Sequence, residues 1–206
     1  MRVERLVVMV SGSGTNLQAV IDACRDGRIN AKVAGVISSK PGAYALKRAE
    51  DAGIPFAVIN PRDYADRDGH DEAVIKAVEG FRGQAVVLAG YMAILGEKMV
   101  KKFPIINIHP ALIPSFCGKG FYGERVHKAV LAYGVKVTGA TTHFVDEGTD
   151  TGPVIMQKCV PVLDDDTPQT LAARVLEAEH EILVESLRLF CDERLELDGR
   201  RVRVKP

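Results

Sequence analysis

Asn107-Ile108-His109-Pro110 ends an apolar run, and Asp150-Thr151-Gly152-Pro153 follows later in a loop of small and acidic residues. An amide, an imidazole and a carboxylate are the groups needed to stabilise an oxyanion, move a proton and hold the proton mover in place. Asn107 and His109 are two apart, so on an extended chain their side chains project to one face. One can then polarise a carbonyl while the other shuttles a proton. Asp150 beside the imidazole would raise its pKa and fix its tautomer. Asp146 and Glu147 compete for that role; otherwise they are solvated loop charge.

A second group of candidates lies near the N-terminus. Ser11-Gly12-Ser13-Gly14-Thr15-Asn16 sits where an apolar run gives way to helical spacing, so backbone N–H groups and the helix dipole can grip a phosphate. The other reading is a tight turn and a helix cap. A dinucleotide fingerprint would need a glycine at position 17, which is Leu, and an acid after the second strand, where Ser38-Ser39-Lys40 stands. Thr15 and Asn16 add side-chain donors at the helix start, which suits a compact phosphate monoester better than a pyrophosphate.

Three further segments bear on the site. His143, flanked by Thr141, Thr142 and Phe144, reads as support for the site and not as a reacting group. Tyr91-Met92-Ala93-Ile94-Leu95, after Gly90, is either core or the wall of a slot for a planar ring. Glu177, Glu179 and Glu181 read most simply as one solvated helix face, and His70, His127 and His180 carry no signal.

The elements that must position these residues alternate. Arg5–Val10 reads as a strand and Thr15–Arg25 as a helix, with apolar residues at Leu17, Val20, Ile21 and Cys24. The same alternation recurs as Lys32–Ile37 then Tyr44–Ala52, Phe56–Ile59 then Tyr64–Phe81, and Ala85–Leu88 then Glu97–Lys102. Strand and helix in alternation predict an α/β fold, an open, twisted, mostly parallel sheet with helices on both faces. Beyond it, Val137–Val145 and Val154–Val162 read as β-rich runs, Thr167-Pro168 opens a long helix reaching towards Cys191, and Arg194–Val204 reads as a hairpin about Asp198-Gly199.

Composition narrows the partners. The chain has 206 residues, 47% of them hydrophobic, enough for a substantial core in one domain. Its 27 basic and 27 acidic residues cancel, which predicts neither nucleic acid nor an anionic membrane as partner. The four cysteines are dispersed without a CxxC pair, so neither a zinc site nor a disulfide framework is expected, and a reduced, cytoplasmic setting fits. No apolar stretch approaches a signal peptide or membrane span.

Taken in order, SGSGTNLQ, LAGYMAIL, NIHPALIPSF and TGATTHFVDEGTDTGPVI closely resemble the folate-dependent phosphoribosylglycinamide formyltransferases, over almost the whole chain. The resemblance implies a formyltransferase fold with a Rossmann-like N-terminal half: one domain, about 1–106 binding phosphate and about 107–206 catalytic and folate-binding. It implies formyl transfer from N10-formyltetrahydrofolate, as co-substrate, to glycinamide ribonucleotide in purine biosynthesis, without a metal, by a monomer or homodimer. Asn107, His109 and Asp150 become the catalytic set. Gly14, Thr15 and Asn16 would hold the ribonucleotide phosphate and Glu179 its ribose. Met92, Ala93, Ile94, Leu95 and Asn107, with Asp146, Glu147, Gly148, Thr149 and Asp150, would border the folate, and Arg67 its outer portion.

Two departures stand out. Ala93 occupies a position where members often carry Arg, which removes one polar contact to the folate. Cys117–Arg125 looks longer than the corresponding loop, and reads as a surface loop or as a flap whose Lys119 or Arg125 meets the folate's glutamate tail. The rival readings are a formyltetrahydrofolate hydrolase, which usually bears an extra N-terminal domain, and a methionyl-tRNA formyltransferase, which normally continues into an RNA-binding domain. A non-catalytic phosphosugar-binding protein and a nicotinamide-dependent reductase, the latter weakened by Leu17, complete them.

Overall fold

The structure is a computed structural model that describes residues 3–205. Seven strands form one sheet in the order β3-β2-β1-β4-β5-β6-β7. They are β1 (Arg5–Val10), β2 (Lys32–Ser38), β3 (Phe56–Val58), β4 (Ala85–Leu88), β5 (Ile105–His109), β6 (Val137–Phe144) and β7 (Val154–Pro161). β1 to β5 run parallel, whereas β6 is antiparallel to β5 and β7 to β6. The chain builds outward from β1 to β3, then returns to lay β4 on the other side of β1. This reversal opens a crevice at the strands' carboxyl ends, where ligands of open α/β sheets bind.

β1 shows why the sheet is covered twice. Leu6, Val8 and Val10 enter a cluster with Leu17, Ile21 and Leu183, while Val7 and Met9 enter another with Val74, Val78 and Met99. A strand buried on both faces must read as a continuous apolar run, as RLVVMV does. The first cluster belongs to helices α1 (Thr15–Arg25), α2 (Tyr44–Asp51), α5 (Glu124–Tyr133) and α6 (Pro168–Cys191). The second belongs to α3 (Arg67–Gly80) and α4 (Glu97–Lys102). A separate hairpin, β8 (Leu195–Asp198) with β9 (Arg201–Val204), follows α6.

Two expectations need correction. The third helix begins at Arg67 and not Tyr64, because Asp66 accepts the Gly69 N–H at 2.8 Å as its cap and Pro61–Asp63 forms a separate 3-10 turn. Helix α5 was not expected, since the glycines and aromatics before it drew attention to the loop; its signal was Val126, Val130 and Gly134, the last ending it at φ 82°. α6, in contrast, starts as read: Thr167 accepts the Thr170 N–H, with Pro168 at the first helical position.

Candidate active site

β5 presents the candidate pair because its two faces differ. Ile106 and Ile108 point into the core beneath α6, which leaves Asn107 and His109 on the opposite face, opposite His143 and Thr141 of β6. His109 is 4% exposed, and its Nε2 donates to the Phe116 carbonyl at 2.9 Å. A neutral imidazole bound in this way has a bare Nδ1, which faces Asp150 Oδ2 at 3.7 Å. Burial pulls the His109 pKa below its ordinary value and outweighs the opposing pull of Asp150. That reverses the expectation of a raised pKa: the carboxylate acts in the expected sense, but the strand-end position desolvates the ring more strongly.

His143 shows the opposite tautomer. Its Nδ1 donates to the Phe144 carbonyl at 2.8 Å, so its Nε2 accepts from Asn107 Nδ2 at 3.0 Å. The second Asn107 N–H reaches Asp150 Oδ1 at 3.5 Å, a long bond that a stronger acceptor can displace. His143 therefore sets the orientation of the Asn107 amide. Thr141 acts on the next turn of chain: its hydroxyl donates to Ala111 O at 2.6 Å and accepts from Ile113 N at 3.1 Å, which fixes the path leaving His109.

Asp150 comes from the loop between β6 and β7. Its backbone lies in the left-handed region at φ 58°, a conformation that costs about 1–3 kcal/mol unless its surroundings impose it. Gly118 N donates to Asp150 Oδ2 at 2.8 Å, and Asp146 Oδ1 accepts from Gly148 N at 3.1 Å and Thr151 Oγ1 at 2.5 Å. Burial pushes the Asp150 carboxyl up, but the two imidazoles and the Gly118 N–H outweigh it and hold the group below the ordinary carboxylate range. Asp146 is thus a staple within the loop. Glu147 turns towards Lys101, 3.8 Å away.

These groups floor a cleft of about 330 Å³. Met92, Ile94, Leu95 and Val145 supply its apolar wall, with Ala93 among them; Gly148 and Thr149 border it, and Gly118–Gly123, including Lys119, line the opposite side. Arg125 instead stacks over the Tyr122 ring at 4.8 Å. The wall is held from behind. Met92 N donates to Ser11 Oγ at 2.8 Å, and Ser11 contacts Ser39 Oγ at 2.6 Å. The fully buried Asp71 carboxylate accepts from Gly96 N at 3.0 Å and Met99 N at 3.4 Å, and Tyr91 OH donates to His70 Nε2 at 3.2 Å. Neither Asp71 nor His70 was signalled by sequence; the available clue was a polar pair, His70-Asp71, on the face that also carries Val74 and Val78. Arg67 lies outside the cleft, in an adjoining depression that shares Met92, Ala93 and Ile94 with it.

The glycine loop sits at the start of α1. Gly14 has φ 72°, and a Cβ there would lie 2.6 Å from the Ala45 Cβ, so the close approach of α2 admits only glycine. No side chain caps α1, which leaves its first N–H groups for another partner. Thr15 lines a separate open depression with Gln18, Arg28, Arg48 and His180. The Asn16 side chain does not face outward as expected: its Nδ2 donates to Glu179 Oε2 at 2.6 Å, and its Oδ1 is buried without a partner. Glu179 is correspondingly not on a solvated face. It is 9% exposed at the α1 start, and burial pushes its carboxyl up to about 7, against the Asn16 bond. Among the described residues, no three His, Cys, Asp or Glu side chains are grouped to hold a metal ion, and no helix is long and apolar enough to cross a membrane.

An open α/β sheet that brings an amide, an imidazole and a carboxylate to its strand ends, under an apolar wall, has the form of a small-molecule binding cleft of the doubly wound class. The chain belongs to the formyl transferase family, whose profile matches residues 4–187. It is 39% identical over 196 residues to the phosphoribosylglycinamide formyltransferase of Haemophilus influenzae, covering 94% of this chain and 90% of that one. It is 44% identical over 187 residues to the trifunctional purine biosynthetic protein adenosine-3 of Gallus gallus, covering 90% of this chain but spanning only 18% of that longer protein. The crystal structure of glycinamide ribonucleotide transformylase 1 from Symbiobacterium toebii superposes with a TM-score of 0.94 at 45% identity, covering 99% of this chain and 95% of that one.

Proposed function

We propose that this chain transfers the formyl group of N10-formyltetrahydrofolate to the amine of glycinamide ribonucleotide, a step of purine biosynthesis. The observation that carries the reading is the convergence of Asn107, His109 and Asp150 on the floor of one apolar-walled cleft. The wall of Met92, Ile94 and Leu95 suits the flat ring system of the donor. The uncapped α1 start, with Gly14, Thr15 and Asn16, suits the acceptor's phosphate, and Glu179 beside Asn16 suits its ribose.

In the reaction the neutral amine attacks the formyl carbon, a C–N bond forms and the carbonyl oxygen becomes an oxyanion. Asn107 Nδ2 gives up its long contact with Asp150 and donates to that oxygen, a type of contact worth about 2.7–4 kcal/mol in a dry site. His109 Nδ1, bare in the resting site, accepts the proton shed by the attacking nitrogen. The imidazolium that results lies beside the Asp150 carboxylate, which stabilises it. His109 then returns the proton to the departing N10, the original C–N bond breaks and tetrahydrofolate leaves. Holding the two substrates in a fixed mutual orientation contributes about 7 kcal/mol or more when the geometry is good.

The test is steady-state release of tetrahydrofolate from donor carrying a labelled formyl carbon, with and without the ribonucleotide. Release that requires the ribonucleotide and places the label on its amine is the expected result. Release as formate without it would make the chain a hydrolase, and binding without turnover would make it a phosphosugar-binding protein.

A further inference from the structure

The loop that carries Asp150 is exposed at Gly148, Thr149 and Thr151, yet it must hold a left-handed residue in place. Its internal ties come from Asp146, and its ends are joined where Phe144 N donates to Pro153 O at 2.9 Å. Gly152 lies so close to the Phe144 carbonyl that a Cβ would collide with it. One further tie comes from the other end of the chain: Arg200 Nη2 donates to Thr151 O at 2.8 Å.

The hairpin that supplies Arg200 is itself well fixed. Its connection is two residues long, Gly199-Arg200, with Gly199 at φ 58°, so Arg200 projects from the tip. At its base Lys205 N donates to Arg194 O at 2.8 Å and the Arg194 guanidinium donates back to Lys205 O at 3.0 and 2.7 Å. Asp198 and Arg203 pair across the strands at 2.5 Å. β9 packs against β7, the strand that begins directly after the loop. A guanidinium on such a support is a fixed donor aimed at the carbonyl of the residue next to Asp150.

We propose that the C-terminal hairpin braces the catalytic loop, and that Arg200 is a positioning residue which, through Thr151, keeps the Asp150 carboxylate at its station beside His109. The role of the brace in turnover rests on the formyl-transfer reading above. The brace acts on His109 indirectly: Asp150 raises the imidazole's pKa against burial, while His143 lowers it and His127 of α5 lies near enough to couple weakly.

Arg200 is exposed, so Arg200→Ala can be made without opening the core. Two measurements on Arg200→Ala and Arg200→Lys test the proposal. In the unliganded protein, amide exchange at Thr149, Asp150, Thr151 and Gly152 is expected to quicken in Arg200→Ala and to return towards wild type in Arg200→Lys, whose ammonium can still donate to Thr151 O. In turnover, kcat is expected to fall about fivefold in Arg200→Ala with ribonucleotide KM unchanged. The acid limb of kcat/KM, set by His109, is expected to move to lower pH as the carboxylate drifts away. Wild-type exchange and an unmoved acid limb in Arg200→Ala would overturn the brace, as would a loss of activity that tracks a lowered Tm with the pH profile unchanged. If wild-type protein transfers no formyl group but Arg200→Ala still loosens the loop, the brace stands and the catalytic reading fails.

Discussion

His109 presents its bare Nδ1 to Asp150 Oδ2 across 3.7 Å, a separation too long for a hydrogen bond and short enough for strong charge coupling. The resting imidazole is neutral, since burial outweighs the carboxylate, and it gains a close ionic partner only when it takes up a proton. On the proposed formyl-transfer mechanism, such a pair favours the charged intermediate over the ground state, as differential stabilisation of a transition state requires.

Removing the carboxylate separates its two effects. In Asp150→Asn the pKa of His109 is expected to fall further below its ordinary value, because the group that raised it is gone; ring-proton titration by NMR measures this. The kcat should drop about 100-fold or more, with ribonucleotide KM unchanged. An unchanged His109 pKa in this variant would show that the two side chains do not interact.

Glu179 makes stability depend on pH. Its carboxyl rises from 4.5 to about 7 on folding, so its contribution is fully present below pH 4.5 and is lost as pH rises through about 7. Glu179→Gln is permanently neutral and keeps the Asn16 contact. Between pH 4.5 and 7.5 the wild type should lose about 3 kcal/mol relative to that variant, a difference read from denaturant midpoints. Parallel curves for the two proteins would mean that Glu179 does not titrate there.

Asp71 of α3 holds the end of the cleft wall and the start of α4. Asp71→Ala strands the buried Gly96 and Met99 N–H groups and should cost about 1–3 kcal/mol. The wall residues Met92, Ile94 and Leu95 loosen with it, so donor KM should rise severalfold more than ribonucleotide KM. Asp71→Asn retains one acceptor oxygen and should recover part of both effects. Equal changes in the two KM values would dissociate Asp71 from the wall.

Gly152 leaves no space for a side chain. In Gly152→Ala the new methyl group would meet the Phe144 carbonyl, and the loop must shift to admit it. The variant should lose more than about 1 kcal/mol of stability, together with most of its kcat, because the displaced loop carries Asp150. Full activity at wild-type Tm would show that the loop adapts freely.

Much of this architecture was legible because it follows from periodicity. RLVVMV has to be a doubly buried strand, Thr167-Pro168 has to start a helix, and residues two apart on β5 have to share a face. α5 was hidden because its apolar positions follow a loop whose glycines dominate the local pattern. Glu179 reads as solvated beside Glu177 and Glu181, and only the packing of α6 on α1 decides that it is covered.

The sequence by itself determined most of the strand-and-helix order, the glycine turn before α1 and the placing of Asn107 and His109 on one strand face, because local spacing and residue type suffice for each. Tertiary structure alone decided the protonation states and the partners. Burial at the end of β5 overrode the Asp150 charge at His109, His143 claimed the Asn107 amide, and Asn16 turned inward to Glu179. Desolvation and hydrogen-bond competition depend on what lies within a few ångströms, and those neighbours come from distant parts of the chain.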